Sequence, residues 1–509
     1  MGWYTNLLGH VAPRTALKRA AAHRALGMVT SKRSYDGASK GRRMKNWRAP
    51  QTSANAEIGG AIQTLRARSR DLIRNDGWAK RGVEIIAECA VGGGIIPKPA
   101  TGDDRLDREI AAAFAEWMET CDAEEQSDFY GLQDLAVQTI AESGDVLMRR
   151  RRRRSEDGLA IPLQLQLMEP DHLDLTHVRN MTTGFDIING IELDRLNRRA
   201  AYWLYQTHPG EIGLHRPMRF DSSRVPADQV AHAYRKTRPG QLSGVPWLAA
   251  AMIDLRDLGE YENAEQVRKK IEACFAAFVT TSDPAEAPWI GEEGEDEDGL
   301  LETLEPGTIN YLQAGEGIDF AQPTPSSGYD SYTRARLHKI ATAMGMPYQL
   351  LTGDVSRVNW SSYKAGIVPF KQMIRRLQKR TIIPMVCRPA WRWFIESAYA
   401  AGKISELNYA VQWTLPGFEP IDRQKELIAD RIEARIGKSS MFEIIRASGK
   451  DPEMVLAEIK AWSNETDRLE LVFDTDPRKV SNAGLTQARP DGTVLPPATP
   501  EDTTETEEE

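Results

Sequence analysis

Five metal-capable side chains, Glu169, Asp171, His172, Asp174 and His177, fall within nine residues. Carboxylates and imidazoles so close together can ligate a divalent ion and activate water, the chemistry of a metal-dependent nuclease. Pro170 and a predicted loop work against the fixed geometry of an ordered site, so no metal is assigned. Gly437-Lys438-Ser439 is the nearest approach to a nucleotide-binding loop, but Ile432 stands where that loop needs a glycine. Gly92-Gly93-Gly94 is followed by Pro97 and Pro99 where a phosphate-capping helix should begin, and reads as a chain reversal. Arg149 to Arg154 are six consecutive arginines that can neutralise phosphates or solvate a protruding hairpin. Neither a Gly-x-Ser-x-Gly elbow nor a His-Glu-x-x-His helix occurs, so no catalytic residue and no cofactor is assigned.

These groups sit in a chain of 509 residues, long enough for several packed units. Hydrophobic residues at 41% and charged residues at 27% match ordinary globular composition, and no apolar run is long enough to span a bilayer. Cys89, Cys121, Cys274 and Cys387 lack metal-cage spacing and read as reduced, mostly buried thiols. No secretory signal is recognisable, so a cytosolic setting is expected. The net charge of -8 conceals an asymmetry. Residues 1–50 hold eleven Lys and Arg against Asp36 alone, whereas residues 501–509 hold six acids and no base.

The fold class expected is α+β and helix-rich. A flexible basic arm over 1–53, helical near Arg14 to Leu26, precedes two helices over 54–91 broken at Asn75-Asp76-Gly77. Helices over Asp104 to Thr120 and Gly131 to Ser143 lead into strands near Val146–Arg152, Leu163–Met168, Ile187–Leu193 and Ala200–Tyr205. Pro246 to Val279 reads as one long amphipathic helix with Asp254, Asp257, Glu262, Glu265 and Glu272 off its apolar stripe. An acidic cluster, Glu292, Glu293, Glu295, Asp296, Glu297 and Asp298, follows, then strands at Thr308–Leu312 and Gly317–Phe320 and a helix over Ser331–Met344. Leu351 to Asn359 reads as a loop, and Ser362 to Ala401 as a helical tract bent by Pro369, Pro384 and Pro389, with a basic stripe of Lys371, Arg375, Arg376, Lys379 and Arg380. Short helices are expected over Ile421–Ile436, Ser440–Ser448 and Pro452–Trp462, and disorder beyond Asp474.

Several ordered motifs then resemble a known family. Tyr35-Asp36-Gly37-Ala38, Leu65 to Asp71, Ile188-Asn189-Gly190-Ile191-Glu192-Leu193-Asp194 and His208-Pro209-Gly210 resemble the lambda-type portal proteins of tailed bacteriophages. Arg224-Val225-Pro226-Ala227-Asp228, Arg238-Pro239-Gly240-Gln241, Gly244-Val245-Pro246-Trp247, Gly345-Met346-Pro347-Tyr348 and Leu351-Thr352-Gly353-Asp354 continue the likeness. Asn359-Trp360-Ser361-Ser362 departs from it by carrying Trp360 where tyrosine is common.

The resemblance implies a homododecameric ring at one capsid vertex, a channel for double-stranded DNA packaging and ejection. The implied partners are other copies of the chain, the terminase large subunit, major capsid and scaffold proteins, a head-tail adaptor, and DNA bound without sequence specificity. No membrane partner is implied, and the locations implied are the virion and, during assembly, the host cytoplasm. By analogy, 54–245 is the wing, 246–280 and 329–350 are stem helices, 281–328 the clip, and 351–363 the tunnel loop. Residues 364–418 would then be wing and spine helices, 419–475 the crown and 476–509 an acidic tail. Arg357, Asn359, Trp360, Ser361, Ser362 and Lys364 would face DNA, the stem acids would discourage sticking, and the Glu292 to Asp298 acids would dock terminase. Another kind of DNA-binding structural protein and a metal-dependent nuclease remain as alternatives.

Overall fold

The computed structural model describes residues 51–211, 221–273, 277–281, 316–320, 328–418 and 422–471, with Phe473, Asp476 and Arg478. The chain divides between Ser53 and Ala54, and every helix and strand named below lies in the second unit. The Asn75-Asp76-Gly77 break falls where the sequence places it, between α1 (Ala54–Asn75) and α2 (Gly77–Val91). There the Asp76 carboxylate accepts the Ala79 amide at 2.8 Å, closing the orphan donors of the new helix. Strand β1 (Ile96–Pro99) leads to α3 (Asp104–Met118) and α4 (Phe129–Ser143), whose N-caps are Asp103 and Asp128.

Sheets follow. β2 (Asp145–Arg152), β3 (Leu163–Met168) and β8 (Val230–Tyr234) form an antiparallel sheet in the order β3-β2-β8. β4 (Asp186–Ile188), β5 (Ile191–Leu193), β6 (Arg199–Tyr205) and β7 (Ser222–Pro226) form a meander in chain order. The single strand expected over Ile187–Leu193 is therefore a hairpin. Asn189 and Gly190 at its tip have φ of 51° and 77°, the conformation that an Asn-Gly turn accommodates. Strands β1, β7, β8 and β11 (Val411–Thr414) had no sequence expectation. β1 and β11, more than 300 residues apart, pair only with each other, from Ile96 with Thr414 to Pro99 with Val411.

The long helix expected over Pro246–Val279 is shorter. A tight turn over Trp247–Ala250 precedes α5 (Met252–Ala273), and Ala277–Thr281 is strand β9, paired antiparallel with β10 (Glu316–Phe320). Consecutive Phe278, Val279, Thr280 and Thr281, β-branched or aromatic, suit a pleated ribbon better than a helix. β10 overlaps the expected Gly317–Phe320 strand; Thr308–Leu312, the Arg14–Leu26 helix and Cys274 lie outside the described residues.

Helix α6 (Tyr329–Met344) packs along α5, and Tyr261 of α5 stacks near Tyr329 and Tyr332 with ring centroids 6.0 and 4.5 Å away. After the short α7 (Tyr348–Thr352), the bent tract resolves into α8 (Trp360–Leu377), a π-helical segment over Gln378–Cys387, and α9 (Arg388–Ala400). Pro384 sits inside the π segment, where a widened turn accommodates its missing amide hydrogen. α10 (Arg423–Arg435), α11 (Met441–Ala447) and α12 (Pro452–Arg468) close the described chain.

One large core joins α2, α3, α4, the β2 sheet, α6 and the α8–α9 tract. Its centre is aromatic: Phe114, Trp117, Phe129, Trp391 and Phe394 pack with ring centroids 5.1 to 5.8 Å apart. Gly144, at φ 94°, and Gly244 bring two loops into backbone contact, so that a Cβ on Gly244 would lie 1.9 Å from the Gly144 carbonyl oxygen.

Candidate functional site

The loop after α7 is held at both ends. Asp354 accepts the Ser356 amide at 3.0 Å and its hydroxyl at 2.6 Å, takes the Tyr348 hydroxyl at 3.2 Å, and faces Arg334 at 3.7 Å. The Ser356 donors hold its carboxyl below the usual carboxylate range. Arg357 is exposed and reaches Asp330 of α6 at 3.4 Å. Asn359 is the N-cap of α8, accepting the Ser362 amide at 2.8 Å. Trp360, Ser361 and Ser362 form the first turn of α8, and Lys364 faces Glu426 of α10 at 3.6 Å. The two cations therefore carry partial counter-charges, and an exposed Val355 marks the loop tip. Asp330 and Glu426, which supply those counter-charges, had no sequence signal.

The acids of α5 separate into different roles. Asp254 is buried and bound by Arg336 at 2.9 Å and Lys339 at 2.7 Å, so it joins α5 to α6 rather than edging an open face. Asp257 is exposed. Glu262 is half-buried, and burial, then nearby Asp76, pushes its carboxyl up. Glu265 is chelated by Arg268 of the next turn, which lowers it, and Glu272 lies in the last turn of α5. The apolar stripe is buried at Leu255 and Leu258 but ends before Val267, which is exposed. The acids from Glu292 to Asp298 lie outside the described residues.

The five metal-capable residues disperse. Asp171 binds Arg70 of α1 at 2.5 Å, and His172 Nδ1 meets the Tyr205 carbonyl at 3.0 Å. Asp174 accepts from Thr176 at 2.6 Å and faces His177 Nε2 at 3.3 Å. Glu169, Asp171 and the distant His208 do converge within ion-binding distance. The Arg70 guanidinium occupies that cluster, 2.8 Å from Glu169, and supplies the positive charge itself. The donor set fits an arginine clasp better than a divalent ion.

The arginine run forms part of the sheet. Arg150 is nearly buried and binds Glu396 of α9 at 2.5 Å, with Ser397 at 3.3 Å. Arg151 binds Gln166 and Arg153 binds Gln164 across β3. Burial lowers the pKa of Arg149 and Arg151, which is the cost of holding guanidinium groups against a sheet.

A second polar cluster had no sequence signal. The fully buried Asp145 accepts Arg66 at 2.7 Å, His232 Nε2 at 3.0 Å and Ser243 at 2.5 Å. This Ser-His-Asp trio is sealed from solvent and joins α1, β2, β8 and the 243–247 turn. It is a structural clamp.

Residues 40–378 match the family described as phage portal protein, lambda family. The chain belongs to that family. Among relatives, a protein named "Probable portal protein" from Halomonas phage phiHAP-1 is 26% identical over 487 residues, covering 91% of this chain and 92% of its own. Portal protein B of Escherichia phage lambda is 20% identical over 382 residues, covering 66% and 70%. A solved chain from the neck of a native gene transfer agent particle, computed with C12 symmetry, is 14% identical with a TM-score of 0.43, covering 77% of this chain and 93% of that one. The family is that of the sequence resemblance, and the mixed helix and sheet architecture agrees with the expected fold class. No described helix is long and apolar enough to cross a membrane.

Proposed function

We propose that this chain is the repeating subunit of a portal ring in the virion, through which double-stranded DNA is packaged and later ejected. The observation that carries the ring is apolar exposure. Of 25 large apolar side chains exposed among the described residues, 13 lie between Leu427 and Phe473, on or beside α10, α11 and α12. Ile436, Met454, Ile459 and Trp462 are each more than half exposed. A lone subunit rarely presents so much uncovered apolar surface, whereas a heterologous interface between neighbours buries it and closes a ring. Twelve copies is the expected number.

In this reading α5 and α6 are the stem, residues 281–328 with the β9–β10 ribbon the clip, and 351–363 the tunnel loop. Residues 54–245 form the wing and 419–475 the crown. A conduit must let DNA slide, and strong neutralisation of many phosphates would hold it fast. The pairing of Arg357 with Asp330 and of Lys364 with Glu426 supports weak, transient backbone contact that reads no sequence. Exposed Asp257 supports an acid-edged passage. Terminase, then the head-tail adaptor, would dock at the Glu292 to Asp298 acids, and capsid and scaffold proteins would hold the ring in place during assembly in the host cytoplasm. The subunit performs no catalysis of its own.

Negative-stain images of the purified full chain test this directly, and twelvefold rings are the expected result. Lone protomers at every salt and protein concentration would overturn the proposal. Ile459→Asp together with Trp462→Ser should shift the rings toward free subunits.

A further inference from the structure

At the far end of α8 from the loop, four cations line one cavity of about 440 Å³: Arg235 and Lys236 beyond β8, and Arg376 and Arg380 one turn apart on the helical tract. Arg376 lies about 24 Å along the helix from Trp360, at 1.5 Å per residue. Among the described residues none of the four forms an ion pair, whereas Arg66, Arg70, Arg150 and Arg336 each face a carboxylate. The Arg235 guanidinium lies over the Trp247 ring with 4.5 Å to its centroid, which fixes its position. Burial, then the like charge of Arg376, pushes the Arg235 pKa down, so the fold holds these charges together at a cost.

We propose that this cavity is a phosphate-binding site that takes a polyvalent phosphate. The volume falls in the range of small-ligand pockets, and the buried Thr381 adds a hydroxyl to the lining. The charges converge from two sides, the exit of β8 and the α8 tract. That suits a tetrahedral anion with oxygens in several directions, and guanidinium groups bind phosphate through paired N–H donors. Carboxylates of an acidic peptide carry one charge each on bulky side chains, and four of them fill such a volume poorly. Free oligophosphate and the backbone of a DNA duplex share the required chemistry. The site stands apart from the 351–363 loop and does not depend on DNA passing that loop.

The test uses the full-length protein in the assembly state in which it purifies, with two probes: sodium tripolyphosphate by calorimetry, and a labelled mixed-sequence duplex by anisotropy over a salt series. Arg376→Gln with Arg380→Gln, both exposed and so compatible with folding, should weaken tripolyphosphate at least about tenfold. If the duplex is the source, the same change lowers its log-log salt slope by about two. Lys236→Gln should weaken the probe alone, and Arg108→Gln on α3 should leave it unchanged. Tripolyphosphate binding without a change in duplex affinity assigns the site to free phosphates. Loss of both assigns it to the shared chemistry, with the backbone as one source. Failure of wild-type protein to bind either probe, or variants that bind as tightly as wild type, overturns the proposal. So does an acidic peptide that outcompetes tripolyphosphate. A wild-type ring that binds the probes through these arginines supports the site even if the tunnel loop proves irrelevant, and the converse separates the two readings.

Discussion

Replacing Asp145 with Asn isolates what the buried clamp contributes. The carboxylate is wholly enclosed and paired with an Arg66 side chain that is only 3% exposed, so neutralising it leaves the guanidinium without its directly bound counter-charge. Breaking a buried pair from one side costs about 3–5 kcal/mol, chiefly the penalty of the stranded partner. Arg66 keeps its 3.2 Å donation to the Ser143 carbonyl and the Asn oxygen still accepts, which favours the lower half of that range. Urea unfolding followed by tryptophan fluorescence reads the loss as a lower midpoint at unchanged slope. Arg66→Met with Asp145→Asn removes both charges while the amide oxygen still accepts from His232 and Ser243, and should recover part of the deficit. A loss below about 1 kcal/mol for Asp145→Asn, or additive losses in the double variant, would refute the clamp.

The same clamp predicts the acid response. Burial opposes charge on Asp145, but Arg66, His232 and Ser243 outweigh it and hold its carboxyl far below the usual range. Its contribution is complete above the unfolded pKa of about 3.9 and declines as pH falls below that value. Burial lowers the His232 pKa, and its Nδ1 has no partner among the described residues, so the ring is neutral with Nε2–H donating to Asp145. The unfolded chain takes up that proton first, and stability should begin to fall below about pH 6.5, with a second limb below about pH 4. His232→Gln should shrink the first limb in an acid titration followed by circular dichroism, leaving the part that His172, also lowered by burial, contributes; an unchanged limb would count against it.

Three further outcomes are expected. Gly244→Ala drives a Cβ into the Gly144 carbonyl and should cost about 2–4 kcal/mol or abolish soluble expression, visible as a lowered urea midpoint. Arg150→Gln breaks the short pair with Glu396, leaving only the longer Arg392 contact, and should lower the unfolding midpoint while leaving the salt slope of duplex binding unchanged, since the side chain is not available to phosphate. Deleting Val355 to Val358 should leave rings intact by electron microscopy but reduce the DNA packaged or retained per particle; normal packaged length would remove the loop from the mechanism.

Local chemistry made much of this fold legible. The Asn75-Asp76-Gly77 break, the Leu163–Met168 strand and the short helix expected over Ser440–Ser448 are written in neighbouring residues, and the structure keeps them. Tertiary partners were not legible. Asp254 reads as one acid among several on α5, and only Arg336 and Lys339, more than 80 residues on, make it a joint. Arg150 reads as one of six arginines that either neutralise phosphates or solvate a hairpin until Glu396 is placed beside it, 246 residues away. Of the tunnel-loop candidates, Asn359 takes an N-cap role, because the helix begins at Trp360 rather than at the expected Ser362. The phosphate cavity was half visible, because Arg376 and Arg380 stand one turn apart in a basic stripe; Arg235 enters only when β8 packs on the same tract.

The bare greasy faces of α10 to α12 also govern how the polypeptide must be made. A newly released copy offers those side chains to any other unfolded or nascent chain, and adhesion to the wrong surface competes with adhesion to the right one. Yield therefore depends on dosage and timing as much as on intrinsic folding. At high dosage part of the chain should precipitate beside the rings, and heat inactivation should be irreversible once those helices meet in the wrong pairing.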